Sequence, residues 1–133
     1  MSCLANSSEA VLDRIEEITE QRPRFEKADI RDPVALDHAF AAHDVGAVIH
    51  CAGLKAVGES VEQPVAYYDN NVTGTVVLLQ AMQRAGITKL VFSSSATVYG
   101  DPQWLPLTED HPIHPTNPYG RTKAQIEQML EDV

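Results

Sequence analysis

Cysteine is scarce: the 133-residue chain has two, Cys3 and Cys51, and they form no Cys-x-x-Cys pair. Two thiols are too few for a disulfide framework, so a small disulfide scaffold is excluded and a reducing, cytoplasmic setting is expected. Long apolar runs are missing as well. No stretch approaches the ~20 residues that cross a bilayer. The opening MSCLANSSEA lacks the basic-then-apolar order of a secretory leader, so neither a leader nor a membrane partner is expected. Basic residues are in deficit, with 10 Lys plus Arg against 19 Asp plus Glu and a formal net charge of -9. A field of that sign repels phosphate backbones and anionic membranes. No nucleic-acid partner is expected, and an anionic ligand needs a local site to hold it. No Gly-x-Ser-x-Gly stretch is present, which speaks against an esterase nucleophile elbow. The histidines His38, His43, His50, His111 and His114 stand in no metal-ligand pattern with cysteine or carboxylate, so no metal site is assigned.

What is present is ordinary for a globular domain: 44% hydrophobic and 22% charged residues, in a length that suits one domain. Asn6-Ser7-Ser8 ahead of Glu9 predicts a helix start, with Val11, Leu12, Ile15 and Ile18 at helical spacing and Pro23 as the stop. Arg24 to Ile30 reads as a short strand. Asp32-Pro33 opens a second helix with Val34, Leu36, Ala39 and Phe40 on its apolar face. Val45 to Cys51 reads as a buried strand. After a loop from Ala52 to Val61, one long helix is predicted from Pro64 to Ala85, with Gly86 as its stop. Lys89 to Ser94 reads as a third buried strand. Residues 101 to 118 hold five prolines and form a long irregular loop. A last helix starts at Asn117 or Pro118. Strands alternating with helices predict an α/β fold with a parallel sheet, whose ligands sit at the carboxyl ends of the strands.

Four constellations fall at such places. Tyr119 and Lys123 lie four apart on one helix face; such a pair is either a lysine packed over a ring or an ammonium that favours a phenolate and makes the phenol a general base. Ser93-Ser94-Ser95-Ala96-Thr97 follows a strand; its hydroxyls can meet a ligand or satisfy local backbone groups. Ala52-Gly53-Leu54-Lys55 follows another strand, where glycine permits close approach of a ligand and Lys55 can reach a ribose or phosphate. Tyr67-Tyr68-Asp69-Asn70-Asn71 places an asparagine pair inside a helical stretch against propensity, which points either to a hydrogen-bonding task or to a helix irregularity.

Taken together and in order, AGLKAVGES (52–60), YYDNN (67–71), SSSATVYG (93–100) and PYGRTK (118–123) resemble the UDP-glucose 4-epimerases of the extended short-chain dehydrogenase/reductase family. The resemblance runs from about Leu4 to Leu130. It implies a Rossmann-like, doubly wound parallel sheet and an enzyme with tightly bound NAD that takes a hydride from C4 of a UDP-sugar and returns it to the other face. On that resemblance Tyr119 removes the C4 hydroxyl proton, Lys123 lowers the tyrosine pKa and holds the nicotinamide ribose, and Ser95 hydrogen-bonds the reacting hydroxyl. Lys55, Ser95, Ala96, Thr97 and Tyr119 touch the sugar nucleotide. Asp29 and Ile30 lie near the adenine. Cys51, Ala52, Gly53, Leu54, Lys55 and Asn70 line the cofactor, with Cys51 where an aromatic residue is usual. The family's dimers are built on two helices, here the one over 64–85 and the one from Pro118.

The departures from the pattern are specific. The family's first strand and its glycine-rich loop are absent, and the position of the acidic residue that holds the adenine ribose falls on Ser2. Residues 1–133 are therefore read as a partial NAD-binding domain without a complete substrate domain, a fragment truncated at both ends. Alone it is expected to be marginally stable and inactive, since its strands lose a partner and expose edges. Two other readings stand beside this one. One is another nucleotide-sugar epimerase or dehydratase. The other is a non-catalytic module that pairs with a full-length subunit.

Overall fold

A computed structural model of the chain describes residues 3–4 and 7–133. Asn6 of the first helix start, and Ser2, lie outside the described residues. The order of elements is α1 (Ala10–Thr19), α2 (Pro33–Ala42), β1 (Val48–His50), α3 (Val57–Glu62), α4 (Pro64–Tyr67), a π-helical turn (Tyr68–Thr73), α5 (Gly74–Ala85), β2 (Leu90–Phe92), a 3-10 turn (Ala96–Tyr99) and α6 (Pro118–Glu131).

β1 and β2 form a two-stranded parallel sheet in the register Val48↔Leu90, Ile49↔Val91, His50↔Phe92. The helical segment between them is the crossover a parallel pair requires. α2 and α5 supply the core. Leu36, Leu78, Ala81 and Met82 are buried together, with Ile30, Phe40, Val48 and Leu90 packed against them. Gly74 lets Ile30 come close, since a Cβ there would stand 2.6 Å from the Ile30 side chain. The start of α2 follows from its sequence: Asp32 accepts hydrogen bonds from the Val34 and Ala35 N–H groups, and Pro33 needs no partner at the first helical position. α5 ends where Gly86 turns left-handed at φ 71°. Among the described residues no helix is long and apolar enough to cross a membrane.

The architecture is the expected α/β, Rossmann-like fold in partial form, and several expectations about its elements need correction. The strand expected to be buried over Val45 to Cys51 forms only over Val48–His50, and its Ile49 is exposed. Arg24 to Ile30 is not a strand; it carries a single bridge residue, Lys27. In the strand order 3-2-1-4-5-6 of a doubly wound sheet, this segment and β1 are not neighbours. Among the described residues this segment joins no ladder beyond that bridge. The helix over 64–85 is not one α-helix, because residues 68–73 widen into a π-turn. The loop over 52–61 contains α3. The first helix forms, but its apolar stripe is not buried: Val11, Ile15 and Ile18 are all exposed.

Candidate functional site

The loops after both strands and the start of α6 converge at the carboxyl end of the sheet. α6 is aimed by its own first residues. The Asn117 side chain accepts from the Gly120 N–H at 2.8 Å, Pro118 takes the first helical position, and the Tyr119 N–H donates to Ser60 Oγ at 3.2 Å. Ser60, on α3, donates in turn to the Val57 carbonyl. Gly120 allows α6 to touch the 3-10 turn: a Cβ there would lie 2.7 Å from the Thr97 carbonyl oxygen. The Tyr119 ring is buried and meets the buried Tyr67 ring edge-on, centroids 6.5 Å apart.

Lys123, one turn further on, is only 5% exposed. Its Nζ donates to the Ser93 carbonyl at 2.8 Å, stands 4.5 Å from the Phe92 ring centre and 6.0 Å from that of Tyr119. Burial lowers its pKa from the ordinary lysine value, and nearby Cys51 and Glu127 act against that. Ser95 caps the 3-10 turn: its Oγ accepts from the Thr97 N–H at 3.3 Å and from the Thr97 hydroxyl at 2.9 Å. In this structure Ser95 serves the local turn, and it does so after the carboxyl end of β2. Ala96 is exposed beside it.

The loop after β1 is held by Asn71. This buried side chain accepts from the Leu54 N–H at 2.8 Å, donates to the Leu54 carbonyl at 3.0 Å and reaches Thr122 Oγ1 on α6 at 3.2 Å. Asn70 donates to it at 2.9 Å. The two readings of the asparagine pair are therefore one fact: the π-turn is the irregularity that lets Asn71 do this work. Gly53 lies against it. A Cβ there would come 3.2 Å from Asn71 Oδ1 and 3.8 Å from Lys123 Nζ. Cys51, Ala52 and Lys55 are exposed around this point, and Gly53 and Leu54 are half-buried.

Asp29 lies apart from this group, at an open cleft of about 490 Å³ lined also by Arg31, Asp32, Asp69 and Thr73. Arg31 grips both oxygens of Asp29, at 3.0 Å and 2.7 Å, and reaches Asp69 at 2.6 Å. That guanidinium holds the Asp29 carboxyl below the usual carboxylate range. Ile30 turns away from the cleft into the core. Asp69 and Asn70 are adjacent on the π-turn, which joins the cleft to the lysine site.

Sequence reasoning singled out the asparagine pair but gave a cofactor role to Asn70 alone, whereas Asn71 makes the larger set of hydrogen bonds in this structure. It also missed Ser60, Phe92 and Thr122, which support the predicted residues from other elements. The asparagine pair was the available clue to the first; no local pattern marks the others.

A family model described as GDP-mannose 4,6 dehydratase matches residues 2–133. The chain belongs to that family. Over 130 residues it is 55% identical to the UDP-glucose 4-epimerase of Bacillus subtilis (strain 168) and 52% identical to that of Dictyostelium discoideum, in each case covering 98% of this chain and 38% of the relative. A solved UDP-glucose-4-epimerase from Stenotrophomonas maltophila, with bound NAD and formylated UDP-arabinopyranose, superposes with a TM-score of 0.95 at 47% identity, covering 98% of this chain and 39% of that one. The enzyme from Bifidobacterium longum, in complex with NAD+ and UDP, gives 0.92 at 49% identity, over 95% of this chain and 38% of that one. The chain thus spans about two fifths of the length of the relatives it matches.

Proposed function

We propose that this chain is the partial NAD-binding domain of a UDP-glucose 4-epimerase and carries that enzyme's proton-transfer residues. The observation that carries the reading is the convergence of Tyr119, Lys123 and the loop over 52–55 at the carboxyl end of β1 and β2, in a chain at least half identical to epimerases across almost its whole length. The residues suit NAD on structural grounds. Gly53 brings the loop backbone against Asn71 and the Lys123 ammonium, where a Cβ would stand 3.2 Å from Asn71 Oδ1 and 3.8 Å from Lys123 Nζ. The Asp29 cleft is lined by Asp69 and Thr73 of the π-turn that also carries Asn70 and Asn71.

Lys55, Gly53 and Asn70 would line the cofactor's ribose and phosphate side and Asp29 its adenine end. Bound NAD would supply the hydride acceptor for C4 of the sugar. Tyr119, as phenolate, accepts the C4 hydroxyl proton and later returns it. Lys123 supplies the positive charge that a phenolate needs beside it. Ser95 orients the reacting hydroxyl, and its present bond from the Thr97 hydroxyl leaves its own proton for that purpose. Ala96 and Thr97 form the sugar-facing rim. The reading includes pairing of two subunits through the segment over 64–85 and α6, where Val65 is 80% exposed. It also includes a cytoplasmic setting.

The test is a chimera in which this chain replaces the matching segment of the Bacillus subtilis enzyme. It should interconvert UDP-galactose and UDP-glucose. Tyr119→Phe within it should lose roughly 100- to 10,000-fold in kcat, the range of a positioned general base. A folded chimera that holds NAD but turns nothing over would overturn the proposal.

A further inference from the structure

The Lys123 ammonium has three N–H donors and almost no contact with solvent. Among the described residues one hydrogen-bond acceptor meets it, the Ser93 carbonyl. A buried cation with so few acceptors needs another source of stabilisation. The Phe92 ring provides one: its centre is 4.5 Å from Nζ, well within the range at which a ring quadrupole attracts a cation. Phe92 and Ser93 are consecutive, so the end of one strand presents ring and carbonyl together.

The ring is itself held in place. The register of the sheet sets His50 opposite Phe92, and the two rings lie 5.4 Å apart, tilted by 39°. His50 Nε2 is 2.8 Å from Thr75 Oγ1, and the Thr75 hydroxyl donates to the Asn71 carbonyl at 2.6 Å. With that proton committed, His50 is the donor in its bond with Thr75, which fixes the orientation of the imidazole. A chain of contacts therefore runs from the π-turn through Thr75, His50 and Phe92 to Lys123.

We propose that Phe92 is a positioning residue for Lys123: its ring and the adjoining Ser93 carbonyl form a platform that keeps the ammonium charged beside Tyr119. Its catalytic meaning rests on the epimerase reading above, but the platform is a property of this chain and is testable on it. Titratable groups facing the ammonium are Cys51, Glu127, His50 and Tyr119.

The experiment is a carbon NMR titration of the 133-residue chain with its lysines labelled at Cε, the Lys123 resonance assigned through Lys123→Arg. Two variants are compared with the parent. Phe92→Leu removes the ring. Pentafluorophenylalanine at position 92 keeps the shape and reverses the quadrupole, so packing and electrostatics separate. A Cys51→Ser background removes the thiol's own titration. Both variants should lower the Lys123 pKa by about half a unit to one unit, the size of a partly desolvated cation–π contact. Phe92→Tyr should restore it. A Lys123 pKa unchanged in the pentafluoro protein overturns the proposal, including where the leucine variant is shifted or unfolded, because the effect would then be one of packing. NAD takes no part in this titration, so its failure leaves the epimerase reading standing. An inactive chimera, conversely, leaves the platform standing.

Discussion

His50 has no place in the proton-transfer scheme, yet its state bears on the stability of the fold. Burial, reinforced by the nearby Lys123 charge, pushes its pKa from 6.5 down to about 4. The unfolded chain therefore binds a proton in a pH range where the folded chain refuses it. Stability from this group is complete above pH 6.5 and is lost as the pH falls toward 4. The full loss is on the order of 3–4 kcal/mol. Urea midpoints measured from pH 7 to 4.5 should fall accordingly. His50→Gln, which keeps a donor for Thr75, should flatten that slope; equal slopes in the two proteins would refute the assignment. Tyr67 shows that a buried tyrosine is not by itself a base. Its hydroxyl sits between Glu59 and the Ala56 backbone, and burial first, then Glu59, pushes its pKa up to about 12. The Tyr119–Lys123 pair was readable because its two members are helical neighbours. Phe92 was not, because its contact with Lys123 joins a strand end to a helix far along the chain.

At the scale of elements, the geometry of α6 depends on two small features ahead of Lys123. Asn117→Ala removes the cap and should cost about 1 kcal/mol. Gly120→Ala drives a methyl into the Thr97 carbonyl, with Pro115 3.1 Å away on another side, and should cost about 1–3 kcal/mol. Urea unfolding of each variant reads these losses, and an unperturbed Gly120→Ala protein would mean the 3-10 turn is free to yield. The longer helices were legible, because caps, prolines and periodic apolar residues are local, whereas the short α3 inside the expected loop was not. What periodicity could not reveal was the π-turn, whose Asn71 bonds to a loop and a helix elsewhere in the chain. The segment Arg24 to Ile30 failed for the complementary reason. Its composition suits a strand, but a strand exists only with a partner, and composition does not supply one.

For the molecule as a whole, the sheet has one covered face. Ile49 is 74% exposed and Val91 62%, side by side in register on the opposite face. Parallel sheets ordinarily have both faces covered, and among the described residues no further strand pairs with either edge of this one. The 133-residue chain should therefore self-associate, with light scattering that rises with concentration. Ile49→Lys combined with Val91→Lys should suppress that rise. Scattering of the parent that stays monomeric at high concentration would show that this face is not adhesive.

The hydrogen bonds that hold the site together also impose an order on its making. Asn71 waits for Thr122 and Ser60 for Tyr119, partners 51 and 59 residues downstream. At ribosomal speeds of 5–20 residues per second, that is a delay of roughly 3 to 12 s. Through that interval the loop after β1 and the start of α3 lack these partners. During synthesis the candidate site is thus among the last parts of this chain to close, and it closes when α6 docks.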